Sequence, residues 1–190
     1  TLDRSSAASD VYKRQDCVYT EDLTRYGRSM VEMLVEINKL IENDINVITC
    51  RHESGAANMA EAWGKLNGLP GVVFVTRGPG ACHASIGVHT AMQDSSPMIM
   101  FIGQINSKHK GREAFQEVDY HKMFGQPFSK AVFEIKNAKS IPNIVQKAYY
   151  ISTKDRPGPV IISLPEDILE QYAKYKPIKP IKHIFSKITC

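Results

Sequence analysis

Glu53 is the residue of this sequence most suited to exchanging a proton. It ends Arg51-His52-Glu53 and is followed by Ser54-Gly55-Ala56-Ala57-Asn58-Met59-Ala60, which reads as the start of a helix. Small side chains let other backbone approach closely, so a carboxyl there is poorly solvated and suited to giving and taking a proton near neutrality. The plainer reading is an ordinary helix-start acid, stabilised by the helix dipole by about 0.3 to 1 kcal/mol. Arg77-Gly78-Pro79-Gly80 also has two readings. It can be a strand-to-helix turn, because Gly takes unusual φ and Pro pre-sets it. It lacks the G-K-[ST] of a phosphate loop and the third glycine of G-x-G-x-x-G, and its rigidity suits packing against a flat ring. His83 and His89, six apart on one helix, fall on different faces, so no metal site is expected. There is no G-x-S-x-G elbow, and Cys50 and Cys82 read as packing residues rather than nucleophiles.

The elements that position these residues alternate. Short β-branched runs occupy 45–50, 71–76, 98–103, 128–135 and 159–164, and stretches long enough for helices lie at 53–67, 80–93 and 138–153. Ahead of them, Met30, Met33, Leu34, Ile37, Leu40 and Ile41 form one apolar helical stripe. Strand and helix in alternation imply right-handed crossovers and a mainly parallel sheet. The expected fold is therefore a three-layer, doubly wound α/β domain with helices on both faces. Glu53, the 77–80 turn and Gln104 each follow a strand, and the carboxyl ends of such strands open on one crevice. The three loops should converge there. Residues 104–118 are polar and irregular, which fits a functional loop.

At 190 residues the chain has the length of one domain with tails. Residues 1–15 read as a non-native or disordered leader, 16–170 as the domain, and 171–190 as a linker toward a further domain. The net charge of +4 sits mostly in that tail, where Lys174, Lys176, Lys179, Lys182 and Lys187 meet no acid. A near-neutral body has no basic face for nucleic acid. No apolar run approaches the roughly 18 residues of a membrane span. The four cysteines show no C-x-x-C pair or zinc spacing and read as reduced thiols of a cytoplasmic protein.

The run RHESGAANMAEAWGKLNGLPGVVFVTRGPGACHASIGVHTAMQDSSPMIMFIGQ, with GREAFQEVDYHKMFG and RPGPVIISLPEDIL after it, resembles the N-terminal pyrimidine-binding domain of thiamine-diphosphate enzymes, on the acetolactate synthase branch. The resemblance covers about residues 45–170. It implies that Glu53 hydrogen-bonds N1′ of the cofactor's aminopyrimidine and so promotes loss of the thiazolium C2 proton. Thr76 and Pro79 match positions lining the pyrimidine, and Gln116, with Phe115 beside it, matches a loop facing thiazolium and substrate. His83 stands where the family's G-P-G-x-x-N has Asn, and a ring nitrogen can replace that amide toward the cofactor. Residues 16–28 lack the family's opening strand and G-x-P-G turn, so the front reads as truncated.

The resemblance further implies a lyase or carboligase acting on a small 2-oxoacid, with pyruvate as the expected substrate. Mg²⁺ and the cofactor diphosphate would be held by a separate domain of a second subunit, in a homodimer or tetramer. Without that domain, the chain should have half a cofactor site and no activity. The helix at 80–93 should then show Ile86 and Val88 underburied. An oxalyl-CoA or other 2-oxoacid decarboxylase, and a non-catalytic domain kept for assembly, are the alternatives.

Overall fold

A computed structural model describes residues 47–171 and 173. The leader, the apolar stripe of 30–41 and most of the lysine-rich tail lie outside the described residues. The order is α1 (Glu53–Asn67), β1 (Gly71–Val75), α2 (Gly78–Gln93), β2 (Met98–Gln104), α3 (Tyr120–Phe124), β3 (Ala131–Glu134), α4 (Ile141–Thr153), β4 (Pro159–Pro165) and α5 (Glu166–Leu169). The four strands form one sheet in the order β1-β2-β4-β3, every neighbouring pair parallel.

The expected alternation is present, with boundaries moved by local chemistry. Of the run at 45–50, residues 47–50 are not strand, and 45 and 46 lie outside the described residues. The run at 128–135 shortens to Ala131–Glu134, because Ser129 turns its hydroxyl onto the Phe124 carbonyl at 2.6 Å and holds the entry as a turn. The 77–80 turn is already helix: Gly78, Pro79 and Gly80 are the first turn of α2, where proline's missing N–H costs nothing.

The side-chain alternation of each strand sorts the core into two layers. Val73, Val75, Met98, Met100, Ile102 and Ile161 face α1, α2 and α3, while Ile99, Val160 and Ile162 face α4. Helices thus cover both faces. The first layer is thin because its helices are made of small residues. A methyl group on Gly87 of α2 would stand 2.6 Å from Ala57 Cβ of α1, so the two backbones meet almost directly. Ile86 is exposed as expected, but Val88 is fully buried. Two residues apart on a helix, they point nearly opposite ways, and Val88 is the one turned to the sheet.

The Gln93-Asp94-Ser95-Ser96-Pro97 segment locks this layer. Ser96, fully buried, donates to buried Glu61 at 2.7 Å. Lys65 pairs with Asp94, and Arg156 donates to Ser95 Oγ at 2.8 Å and Met92 O at 2.8 Å. At the end of α1, Gly68 takes the left-handed conformation at φ 67° and returns its N–H to Gly64 O, which closes the helix.

Candidate active site

Glu53 opens α1 directly after its cap. His52 holds extended backbone, and its Nδ1 accepts the Ser54 amide at 3.2 Å, satisfying one of the N–H groups a helix start leaves unpaired. That cap aims the Glu53 side chain at the start of α2. Its Oε2 lies 3.0 Å from His83 Nδ1, and the carboxylate is only 16% exposed against 44% for the imidazole. Its Oε1 lies 3.4 Å from the place a Cβ would take on Gly80, a spot already 2.8 Å from Thr76 Cγ2. Glycine at 80 thus leaves room for the Thr76 methyl, while Glu53 Oε1 would be in ordinary van der Waals contact with a Cβ there.

The long loop arrives from the other side. A Cβ on Gly78 would lie 3.4 Å from Gln116 O and 3.7 Å from Gln116 Cα. Gln116 itself takes the left-handed conformation at φ 67°, uncommon for a residue with a side chain. Its neighbour supplies the brace: the Glu117 carboxylate accepts the backbone N–H groups of Gly111 and Ala114 at 2.5 and 3.1 Å. Those donors, the Gly111 amide foremost, hold the Glu117 carboxyl below the ordinary glutamate range. Phe115, between Ala114 and Gln116, is left 69% exposed.

Gln104 does different work from that expected of a crevice residue. It is buried; its amide nitrogen donates to Val118 O at 2.8 Å and its oxygen accepts from Ile105 N at 2.9 Å. It clamps the two ends of the loop together. Tyr120 adds a second clamp, donating to Gly103 O at 3.0 Å, and burial pushes its phenol well above the usual tyrosine value.

The structure thus brings Glu53, Thr76, Gly80 and His83 into one group, with Gln116 against the adjoining Gly78. Thr76 and Pro79 are exposed on the same turn. Neither Glu117 nor His52 was expected here. Each acts through backbone amides close in sequence, and Glu117 is one of several acids in the polar stretch after Gly111, so nothing in the sequence singles it out. His52, Glu53 and His83 each carry one potential ligand atom within 4.8 Å of the others. We read them as a hydrogen-bonded group, since His52 Nδ1 is spent on Ser54 and His83 Nδ1 on Glu53.

Residues 24–123 match the family described as thiamine pyrophosphate enzyme, N-terminal TPP binding domain. The chain belongs to this family. Among its relatives, the acetolactate synthase large subunit of Buchnera aphidicola subsp. Schizaphis graminum is 44% identical over 135 residues, which are 70% of this chain and 23% of the relative. The acetolactate synthase large subunit of Lactococcus lactis subsp. lactis is 44% identical over 124 residues, covering 65% of this chain and 21% of that one. The acetolactate synthase isozyme 3 large subunit of Escherichia coli is 39% identical over 138 residues, covering 72% and 24%. The chain therefore spans less than a quarter of the length of these three relatives.

A thiamine diphosphate pyrimidine asks for an acidic partner to a ring nitrogen and for small groups against a flat ring. Glu53 offers Oε1 beside Gly80, and Thr76 and Pro79 stand exposed on the stretch that carries that glycine. The residues present fit that half of the cofactor. No helix among the described residues is long and apolar enough to cross a membrane.

Proposed function

We propose that this chain is the pyrimidine-side half of the active site of an acetolactate synthase-like carboligase that decarboxylates a 2-oxoacid, with pyruvate the favoured substrate. The observation that carries the reading is the Glu53 carboxylate, mostly withdrawn from water, with one oxygen bonded to His83 and the other beside Gly80. When bound, thiamine diphosphate supplies a thiazolium carbon that adds to the 2-oxoacid carbonyl and accepts the electrons released on decarboxylation. The chain's own part is to hold the ring end. Glu53 Oε1 would share a proton with N1′ of the aminopyrimidine, and Thr76 and Pro79 would bound the ring. Gln116 and Phe115 would flank the substrate side, held by the Glu117 brace and the Gln104 clamp.

Mg²⁺ and the diphosphate would be held by a domain of a second subunit, in a cytoplasmic homodimer or tetramer. Support for a subunit contact lies on α1, where Met59 and Trp63, one turn apart, are about half exposed, and on α2 at exposed Ile86. Large apolar groups gathered on a surface mark association sites. The lysine-rich 171–190 segment would then be the linker between the domains.

The test is turnover by the full-length protein supplied with thiamine diphosphate and Mg²⁺. Carbon dioxide and acetolactate formed from pyruvate support the proposal. Turnover of oxalyl-CoA with none of pyruvate would assign the decarboxylase alternative, and a folded protein that turns over neither would leave an assembly domain.

A further inference from the structure

His83 is more than a substitute for an amide. We propose that it is the proton relay between solvent and Glu53, a role that rests on the reading of Glu53 given above. When Glu53 is ionised it can only accept hydrogen bonds, so in that state the 3.0 Å contact between Glu53 Oε2 and His83 Nδ1 places the proton on Nδ1. Among the described residues, Nε2 has no protein partner. The ring is nearly half exposed, whereas the carboxylate it touches is largely shut from water. The imidazole therefore bridges the two environments.

His52 fixes the orientation of that bridge. Its ring lies on the His83 ring with centroids 4.4 Å apart and planes tilted by 31°. His52 Nδ1 meets the Ser54 hydroxyl at 2.7 Å and accepts the Ser54 amide at 3.2 Å, and because a backbone N–H can only donate, a lone pair on Nδ1 faces that amide and the His52 proton belongs on Nε2. His52 is thus a flat support against which the His83 ring rests. Glu53 and His52, both at the start of α1, are set directly against His83.

The transfer balances without a redox partner. A water or buffer acid gives a proton to Nε2 and keeps its own conjugate base in solvent. The N–H bond at Nδ1 breaks as an O–H bond forms at Glu53 Oε2, and the imidazole ends neutral in its other tautomer. Reversal returns the proton. A side-chain amide at this position could hold the hydrogen bond but could not take a proton at one atom and release another.

The test uses the full-length protein in two arms. Without cofactor, two-bond ¹H–¹⁵N NMR of His83 should show Nδ1 protonated, and Glu53→Gln should weaken that preference. An unprotonated Nδ1 in the wild type overturns the proposal. With thiamine diphosphate bound, exchange of its C2 proton in deuterated buffer should slow in His83→Ala by about tenfold or more, within the contribution of a positioned proton-transfer group. Added imidazole should restore it. Normal exchange in a His83→Ala variant with an unchanged melting temperature, or a deficit that imidazole does not repair, refutes the relay. Normal exchange in Glu53→Gln would instead sink the reading of Glu53 on which the relay depends.

Discussion

Glu53 Oε1 lies beside Gly80, in van der Waals contact at 3.4 Å with the place a methyl group on the glycine would take. The tighter neighbour is Thr76 Cγ2, at 2.8 Å from the same point. Gly80→Ala should therefore cost about 1 to 3 kcal/mol, the usual price of overpacking. Removing the offending methyl with Thr76→Ser should recover most of the loss. Urea unfolding of the two single variants and the double one measures this, and strictly additive losses would show that Thr76 is not the obstacle.

Gly87 and Gly55 should respond in opposite directions to the same substitution. At Gly87 the new Cβ meets Ala57 Cβ and backbone at 2.6 to 2.9 Å, and backbone cannot move aside. At Gly55 nothing lies within 4 Å, so alanine there gains the helix propensity that glycine lacks, about 1 kcal/mol. Thermal melts of Gly87→Ala and Gly55→Ala should move down and up respectively. Equal shifts would contradict the close crossing of α1 and α2.

Much of this arrangement was legible in the sequence, for reasons that differ by residue. The parallel sheet followed from alternation, since Met98–Gln104 and Pro159–Pro165 are apolar on both faces as buried parallel strands must be. Glu53 was visible because its small neighbours Ala56 and Ala57 announced a close approach. The partner of His83 was not. Spacing compares residues along one helix, so it set His83 against His89, whereas the ring that meets it is His52 from another element. Gln104 was misread for a related cause: a strand-end position shows which crevice a residue borders, but not that its amide is already consumed by Ile105 and Val118.

The loop carrying Phe115 and Gln116 should loosen in acid. Backbone donors hold the Glu117 carboxyl below its ordinary range, so its contribution is present above the unfolded value and is lost as pH falls through the lower folded one. In an NMR titration the Gly111 and Ala114 amide shifts should move together, with a midpoint below that of an ordinary glutamate. Glu117→Gln should abolish the shared transition. An ordinary midpoint would mean that the carboxylate does not brace the loop.

Ser96→Ala should weaken the layer under the site. It removes the 2.7 Å hydrogen bond to Glu61 and leaves a buried carboxylate less satisfied, a change worth about 1 to 3 kcal/mol. Ser96→Thr, which keeps the hydroxyl, tests whether the bond or the space matters. Equal losses in both variants would point to space.

The central claim is that Glu53 serves the cofactor and is not merely a helix-start acid. Glu53→Gln keeps shape and hydrogen-bonding reach but cannot deliver a proton. As a proton-transfer group it should contribute about 10² to 10⁴ in rate, or roughly 3 to 5 kcal/mol of barrier, whereas an acid at a helix start contributes at most about 1 kcal/mol of stability. The decisive measurement is the rate of C2-proton exchange of bound thiamine diphosphate in the full-length protein, followed by NMR in deuterated buffer, with folding checked by a thermal melt. A folded Glu53→Gln variant that exchanges a hundredfold or more slowly, within that 10² to 10⁴ range, is the predicted result. A folded variant that exchanges at the normal rate would contradict the account.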